Sequence, residues 1–202
     1  MIVLENVTVR YGEKTVLDKF NQSFAENTLH VIIGRSGCGK TTMLRTIAGL
    51  IIPSGGRVLY NNNVITKPIR DIFMMHQGYT NYPWKTCLDN ILFPIELQGR
   101  VTNEQKEEAI ELLNKVGLYD YQNKYPYELS GGMKQRLALA RTLMSKPPVI
   151  LMDEPLSALD FNTRSDMQKL VMDLHDNTNN TIIMVTHDLE EANKMGENII
   201  KL

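Results

Sequence analysis

Short hydrophobic runs rich in β-forming residues alternate with turn-forming sequences up to about residue 80 of the chain. These runs predict strands at 2–4, 7–11, 29–33 and 56–60. The sequences between them include Tyr11-Gly12-Glu13 and Asn61-Asn62-Asn63, which are typical of tight turns. The pattern therefore predicts strands joined by hairpins in the first part of the chain.

The hydrophobic period becomes helical between about residue 81 and residue 146. Thr102 and Gln105 have the spacing of a capping box, which predicts the start of a helix, and Gly117 is placed to end that helix. A further helix is predicted after a double glycine, because apolar residues then recur at helical spacing: Met133, Leu137, Ala140 and Met144. We expect this region to be a helical insertion.

Strand and helix patterns alternate in the rest of the chain. Strands are predicted at 149–152, 181–186 and 198–202, with a helix face between 167 and 174. Strands that are apolar on both faces are typical of a parallel sheet covered by helices. We therefore predict a single α/β domain over 1–202, with a core formed by 1–80 and 147–202 and a helical subdomain at 81–146.

The composition excludes several classes of protein. The chain has 202 residues, of which 43% are hydrophobic and 22% charged, so it is neither disordered nor fibrous. Its 22 basic and 23 acidic residues give a net charge of −1, which lacks the basic surplus typical of nucleic-acid binding. No apolar run approaches the roughly 20 residues of a membrane helix. Together with two cysteines that form no CxxC pair, this predicts a soluble, intracellular protein.

A glycine-rich sequence lies between the predicted strand at 29–33 and a predicted helix at 42–48. It has the form G-x-x-x-x-G-K-[ST], a loop whose backbone N–H groups surround phosphates while its lysine reaches the β- and γ-phosphates and its Thr or Ser binds Mg²⁺. The alternative is a glycine-rich turn with a chance Lys-Thr pair, and the flanking strand and helix argue against it. The residues predicted to contact nucleotide here are Gly34, Arg35, Ser36, Gly37, Cys38, Gly39, Lys40, Thr41 and Thr42.

Two acidic residues follow the predicted strand at 149–152. Asp153 is expected at the carboxyl edge of the sheet, where α/β proteins bind their ligands, and we predict that it holds Mg²⁺. Glu154 is placed to accept a proton from an attacking water molecule. The alternative is a solvated acidic pair at a strand end, which the phosphate loop in the same chain disfavours.

The sequence Leu129-Ser130-Gly131-Gly132-Met133-Lys134-Gln135-Arg136 adds a family resemblance. Together with the phosphate loop and the Asp-Glu pair, it closely resembles the signature of ABC-type ATPases, in the same order and spacing over nearly the whole chain. The resemblance implies an ATPase with ATP and Mg²⁺ as cofactors. It also implies a P-loop NTPase fold of the α/β class, with an antiparallel β subdomain and a helical insertion.

The resemblance assigns roles to further residues. Tyr11 resembles the aromatic residue that stacks on adenine, and Gln77 resembles the glutamine that contacts Mg²⁺ and the attacking water. The segment 157–160 resembles the D-loop, whose Asp160 is expected near the nucleotide, and His187 resembles the switch histidine. The implied catalytic residues are Glu154, His187, Gln77 and Lys40, and the implied Mg²⁺ ligands are Thr41, Gln77 and Asp153.

Members of this family associate head-to-tail as dimers with ATP at the interface. By the same resemblance Ser130, Gly131 and Gly132 are expected to contact the nucleotide of the partner protomer, which is this chain or a homologous subunit. The double glycine at a predicted helix start agrees with this, because it exposes free N–H groups that bind anions.

Finer features resemble ATPase subunits of nitrate, sulfonate and taurine importers, among them Pro83-Trp84 and the Ala158-Leu159-Asp160 segment. The partners implied are membrane-spanning permease subunits and, indirectly, a solute-binding protein, with no nucleic acid. The location implied is the cytoplasmic face of the cell membrane. We expect the permease to dock on residues 77–84; in the alternative, Trp84 folds back into the core of the helical region.

Other functions fit part of the pattern. An ABC exporter shares the catalytic residues, and an ABC ATPase without a membrane partner normally carries a long insertion, a second cassette or a basic arm, none of which is present. An inactive cassette that only binds would not be expected to keep Lys40, Glu154 and His187. A P-loop kinase gives no reason for the signature sequence at 129–132.

Overall fold

A computed structural model describes residues 1–76 and 81–202 of the chain. The strands within these residues are β1 (Ile2–Tyr11), β2 (Lys14–Phe24), β3 (Leu29–Ile33), β4 (Gly55–Tyr60), β5 (Asn63–Val64), β6 (Ile72–Met75), β7 (Val149–Asp153), β8 (Thr181–Thr186) and β9 (Asn198–Lys201). The α-helices are α1 (Lys40–Ile47), α2 (Cys87–Glu96), α3 (Asn103–Lys115), α4 (Gly131–Ser145), α5 (Phe161–Thr178) and α6 (Leu189–Met195). Short 3₁₀ turns occupy Tyr119–Tyr121 and Pro126–Glu128.

The first of two compact units holds both sheets and comprises Met1–Met74, Pro147–Glu154 and Asn177–Leu202. One sheet has the order β2-β1-β4-β5, in which β1 is antiparallel to β2 and β4. The other has the order β6-β7-β8-β3-β9, in which β3 is parallel to β8 and β9 and β7 is parallel to β8. The predicted parallel α/β core and antiparallel β sheet are therefore both present.

Strand β2 was missed by the sequence analysis. It forms an edge of the antiparallel sheet, and most of its side chains are exposed or half-buried, including Lys14, Asp18 and Lys19. An edge strand with one solvated side carries many polar residues and therefore lacks the hydrophobic run that reveals a buried strand. By contrast, β8 has the predicted bounds 181–186. All six of its residues are buried, so the strand is visible in the sequence as an apolar run.

The core of the first unit lies where α1 packs against β7 and β8. Leu44 and Ile47 on one face of α1 are fully buried, as are Leu151 and Ile183 on the two strands. Such a layer of apolar side chains between helix and parallel sheet holds the ends of β3 and β7 in a fixed relation. Those ends carry the phosphate loop and the acidic pair.

The second unit comprises Met75–Lys146 and Pro155–Asp176, and within it α4 packs against α2 and α3. Residues 155–176 thus group with the helical segment, whereas the sequence analysis placed all of 147–202 in the core; that predicted arrangement stays a prediction. The capping box at α3 is confirmed: Thr102 N donates to Gln105 Oε1 at 2.9 Å, and Gln105 N donates to Thr102 Oγ1 at 3.3 Å. The helix ends before Gly117, whose φ is +65°.

Replacing Leu113 by alanine should lower the free energy of unfolding by about 2–5 kcal/mol, because this side chain of α3 is fully buried and its loss leaves a cavity. Denaturant unfolding measures the change. Glu111→Ala, at an exposed position of the same helix, is the matched control and should change stability by about 0.5 kcal/mol or less. Equal effects of the two substitutions would contradict the packing of α3.

Within the residues that the structure describes, no helix combines the length and the apolar character needed to cross a membrane.

Candidate functional site

The glycine-rich loop connects β3 to α1, as the sequence predicts. Gly37 and Gly39 have φ values of +79° and +108°, a backbone conformation that L-residues with side chains rarely adopt. At Gly39 a Cβ atom would also lie only 3.0 Å from Val16 Cγ1. The two glycines let the chain curl tightly before the helix begins. Arg35, Ser36 and Gly37 are exposed on the rim of this curl.

Lys40 brings a positive charge into the loop. Its side chain is buried, and Nζ donates hydrogen bonds to the carbonyl oxygens of Gly34 at 2.8 Å and Arg35 at 3.1 Å. Lys40 is also the first residue of α1, whose first turn carries no acidic residue and whose N-cap, Gly39, has no side chain to cap it. The ammonium group and the uncapped N–H groups of the helix together form a site for an anion such as a phosphate group.

The phosphate loop and the acidic pair meet at one contact. Thr41 Oγ1, in the first turn of α1, donates to Asp153 Oδ1 at 3.0 Å, although the two residues are 112 positions apart in sequence. Asp153 ends β7 and is only 2% exposed. A hydroxyl and one carboxylate are the oxygen ligands that Mg²⁺ takes from proteins when phosphate oxygens complete its shell. These donors therefore fit the predicted Mg²⁺.

No group of three or more His, Cys, Asp or Glu side chains suited to a metal ion occurs among residues 1–76 and 81–202. The third predicted ligand, Gln77, lies outside the described residues.

Glu154 and His187 lie together at the same edge of the parallel sheet. Glu154 follows β7, and its N–H donates to the carbonyl of Val185 on β8 at 3.1 Å. Its φ is +49°, which is uncommon for a residue with a long side chain and is found mainly at turns and functional sites. His187 follows β8, and its Nδ1 is 3.5 Å from Glu154 Oε1. The carboxylate of Glu154 thus lies beside an imidazole at the carboxyl edge of the sheet.

The signature sequence starts α4. Ser130 is the N-cap, and its Oγ accepts from Met133 N at 3.3 Å. Gly131 and Gly132 form the first two helical positions, and neither has a positive φ. A Cβ atom on Gly131 would meet nothing within 4 Å, and one on Gly132 would make ordinary contact with Leu159 at 3.4 Å. Neither glycine is therefore required by the fold of this chain.

Two more predicted residues have clear positions. Tyr11, the last residue of β1, is 50% exposed, so its ring is available to a ligand. Asp160 precedes α5, and its Oδ1 accepts from Thr163 N at 3.1 Å. Hydrogen bonds from the side chain and the backbone of Thr163 lower the pKa of the Asp160 carboxyl. Asp160 thus caps α5, and its contact with nucleotide stays a prediction.

A contact with Leu202, which no sequence pattern predicted, explains Gly34. The N–H of Leu202 donates to the carbonyl of Ile33 at 2.9 Å, which places Leu202 beside the first residue of the phosphate loop. A Cβ atom on Gly34 would lie 2.8 Å from the Leu202 carbonyl oxygen and 2.8 Å from Cys38 Sγ. No local signal reveals this packing, because it depends on the pairing of β9 with β3.

A glycine-rich phosphate loop between strand and helix, a hydrogen-bonded Thr41–Asp153 pair and a glutamate at the carboxyl edge of the sheet are typical of a P-loop NTPase. Comparison with known proteins narrows the class. A family profile described as ABC transporter matches residues 17–157. The chain belongs to the ABC transporter family, of which it is an ATP-binding cassette.

Among curated relatives, an uncharacterized ABC transporter ATP-binding protein of Methanocaldococcus jannaschii is 42% identical over 92% of this chain and 70% of its own length. The aliphatic sulfonates import ATP-binding protein of Yersinia pestis is 40% identical over 98% of this chain and 71% of its own length. A solved dimeric ATP-binding cassette, in a post-hydrolysis state bound to ADP and Pi, superposes with a TM-score of 0.90. The two sequences are 34% identical, and the superposition covers all of this chain and 94% of the solved cassette. The predicted family, fold class and ATPase class are confirmed.

Proposed function

We propose that the chain is the ATP-hydrolysing subunit of an importer for a small nutrient of the nitrate, sulfonate or taurine type. The 3.0 Å hydrogen bond between Thr41 and Asp153 carries the catalytic part of this proposal, because it joins a phosphate-binding loop to the acidic end of β7. The sulfonate relative supports the importer part. A taurine import ATP-binding protein of Rhizobium johnstonii, 38% identical over 95% of this chain, supports it as well.

In this proposal the loop N–H groups and Lys40 bind the phosphates of ATP, and Tyr11 stacks on the adenine. Thr41 and Asp153 hold Mg²⁺ together with Gln77. When bound, the ion neutralises charge on the β- and γ-phosphate oxygens. The hydrogen bond from Thr41 to the buried Asp153 supports this role, because it places these two proposed ligands side by side.

Glu154 is the proposed general base. Its carboxylate accepts a proton from the attacking water, and His187, 3.5 Å away, holds the carboxylate in place. The left-handed backbone at Glu154 supports this assignment, because a strained residue of this kind persists only where its surroundings fix it.

The proposed active unit is a head-to-tail dimer in which Ser130, Gly131 and Gly132 of one protomer contact the nucleotide of the other. Glycine at the start of a helix costs stability relative to alanine, and beyond its own helix the described residues leave the space beside Gly131 open. A group from outside the chain that approaches the backbone closely would explain both glycines. Asp160, which caps α5, is proposed to lie in the same dimer interface.

Gly131→Ala tests this proposal. The substitution should leave the free energy of unfolding unchanged or raise it by about 0.5–1 kcal/mol, since φ is not positive and a methyl group meets open space. Hydrolysis of ATP should nevertheless fall, because the methyl group occupies the path of the partner's nucleotide. Denaturant unfolding and steady-state phosphate release measure the two quantities. A variant with parent turnover would contradict the proposed role of the signature backbone.

The permease subunits are proposed to dock near Trp84. The indole is 70% exposed, so the alternative in which Trp84 folds into the core is wrong. Its ring packs against that of Tyr82, with the ring centroids 5.6 Å apart. Tyr82 in turn packs edge-on against Phe93, with the centroids 4.3 Å apart. A large, exposed aromatic side chain that packs against neighbouring aromatic rings is typical of a residue that anchors a protein interface. The other part of the predicted surface, residues 77–80, lies outside the described residues.

Trp84→Ala should prevent copurification of the chain with its permease, through the loss of about 2 kcal/mol or more of binding free energy. Basal ATPase activity of the isolated chain should stay near normal. Tyr127→Ala is the control, because Tyr127 is another exposed aromatic side chain, at 71%. If both variants copurify with the permease like the parent, Trp84 is not part of the docking surface.

A further inference from the structure

Gln135 makes a contact that the functions assigned so far do not use. It lies in the second turn of α4, five positions after the signature serine, and its side chain is fully buried. Its Oε1 accepts a hydrogen bond from the backbone N–H of Ala158 at 3.2 Å. Ala158 belongs to the segment 157–160, which resembles the D-loop and lies in the same compact unit as α4. The Gln135 side chain thus joins the signature helix to the D-loop.

This hydrogen bond satisfies a backbone N–H group of the D-loop. Ala158 lies between β7 and α5, outside any helix or strand, so sheet or helix pairing does not satisfy its N–H. The backbone groups of the next residue are also paired: Leu159 N donates to Leu156 O at 3.3 Å, and Leu159 O accepts from Arg164 Nη2 of α5 at 3.0 Å. The buried amide oxygen of Gln135 supplies the partner that this N–H needs.

The backbone of the signature sequence itself lies against the same segment. A Cβ atom on Gly132 would be 3.4 Å from Leu159 Cδ2 and 3.5 Å from the Ala158 carbonyl oxygen. The first turn of α4 therefore lies close to the D-loop at Gly132, and one turn later Gln135 is hydrogen-bonded to it. A shift of either segment would have to break the hydrogen bond between Gln135 and Ala158.

We propose that Gln135 is a positioning residue that holds the D-loop and the signature sequence as one rigid body. The inference rests on the proposed dimer, in which the signature sequence of one protomer contacts the nucleotide of the other and Asp160 of the D-loop lies in the same interface. If the hydrogen bond to Ala158 is lost, Ser130 and Gly131 keep the groups that bind nucleotide. Their position relative to the D-loop, however, is no longer fixed. Since misplacement of a group by about 1 Å can cost about a hundredfold in rate, the effect should appear in turnover.

Gln135→Leu removes the acceptor while keeping a similar size. We expect kcat for ATP hydrolysis to fall about ten- to a hundredfold, with the KM for ATP within about twofold of the parent. Gln105→Leu is the matched control, because Gln105 also bonds a backbone N–H through Oε1, at 2.9 Å, in the same unit. The control should lose some stability but keep its turnover. Parent turnover in Gln135→Leu, or an equal loss in Gln105→Leu, would overturn the proposal.

Mixing with Lys40→Ala separates positioning from a general loss of fold. A dimer of Gln135→Leu and Lys40→Ala has one composite site with both lesions and one with neither, so activity should return in part. A destabilised fold would not be rescued in this way. If Ser130→Arg is rescued by Lys40→Ala but Gln135→Leu is not, Gln135 does not act on the partner's site. If neither is rescued, the proposed dimer itself is wrong.

Gln135→Met, which keeps an unbranched side chain, replaces the leucine variant if the latter is not recovered as folded protein by circular dichroism. Failure of both variants to fold would show that Gln135 serves the fold itself and would also overturn the proposal.

Discussion

Glu154→Gln should lower the rate of ATP hydrolysis by about 10²- to 10⁴-fold, because the amide cannot accept the proton that the carboxylate takes from water. The fold should tolerate the change. Glutamine has the same length, meets the same backbone requirement at φ +49°, and keeps an oxygen that His187 Nδ1 can approach at 3.5 Å. Affinity for ATP should remain near that of the parent, since Lys40 and the loop are untouched.

Steady-state phosphate release and nucleotide titration measure the two quantities, and gel filtration with ATP should show a trapped dimer. Glu190→Gln is the control, because Glu190 is an exposed carboxylate on the nearby α6 of the same unit and should leave the rate unchanged. Hydrolysis by Glu154→Gln at the parent rate would remove Glu154 from the role of general base.

Ser130→Arg and Lys40→Ala should each abolish hydrolysis alone and recover activity when mixed. Lys40→Ala removes the ammonium group that donates to Gly34 O and Arg35 O, so the variant should bind ATP weakly. Ser130→Arg should bind ATP normally, because the phosphate loop of that chain is intact. In a random mixture half of the dimers are mixed, and each mixed dimer has one intact site, so about a quarter of the parent activity should return.

The Ser130 substitution also removes the N-cap of α4, which accepts from Met133 N at 3.3 Å. Loss of a cap costs about 0.5–2 kcal/mol of stability. Thr102→Ala removes the cap of α3 in the same unit and controls for that loss; it should keep its turnover. An absence of activity in the mixture, with mixed dimers shown by crosslinking, would place the whole site within one chain.

Local sequence patterns predicted the elements that are specified locally. The capping box of Thr102 and Gln105 and the helix end at Gly117 occur where expected, because their determinants lie within a few residues of each other. The all-buried β8 was equally visible as an apolar run. The edge strand β2 was not visible in this way. Its many polar side chains reflect its place at the edge of the sheet, and the order of strands in a sheet cannot be read from a local sequence pattern.

The composition of the candidate site could also be read from the sequence. The phosphate loop, the Asp-Glu pair and the signature are contiguous motifs, and each requires particular residue types for a chemical reason. Roles that depend on a partner chain, such as those of Ser130 and Asp160, remain predictions.

What the sequence by itself determined is therefore the inventory: which residues can bind phosphate, hold Mg²⁺ or accept a proton, and which segments form helices and buried strands. Only the tertiary structure decided their relations. Thr41 reaches Asp153 because β3 and β7 both pair with β8 in one parallel sheet. Gly34 must be glycine because β9 brings Leu202 against it, and Gln135 meets Ala158 across 23 positions of sequence. Contacts of this range follow from strand order and packing, which no local pattern encodes.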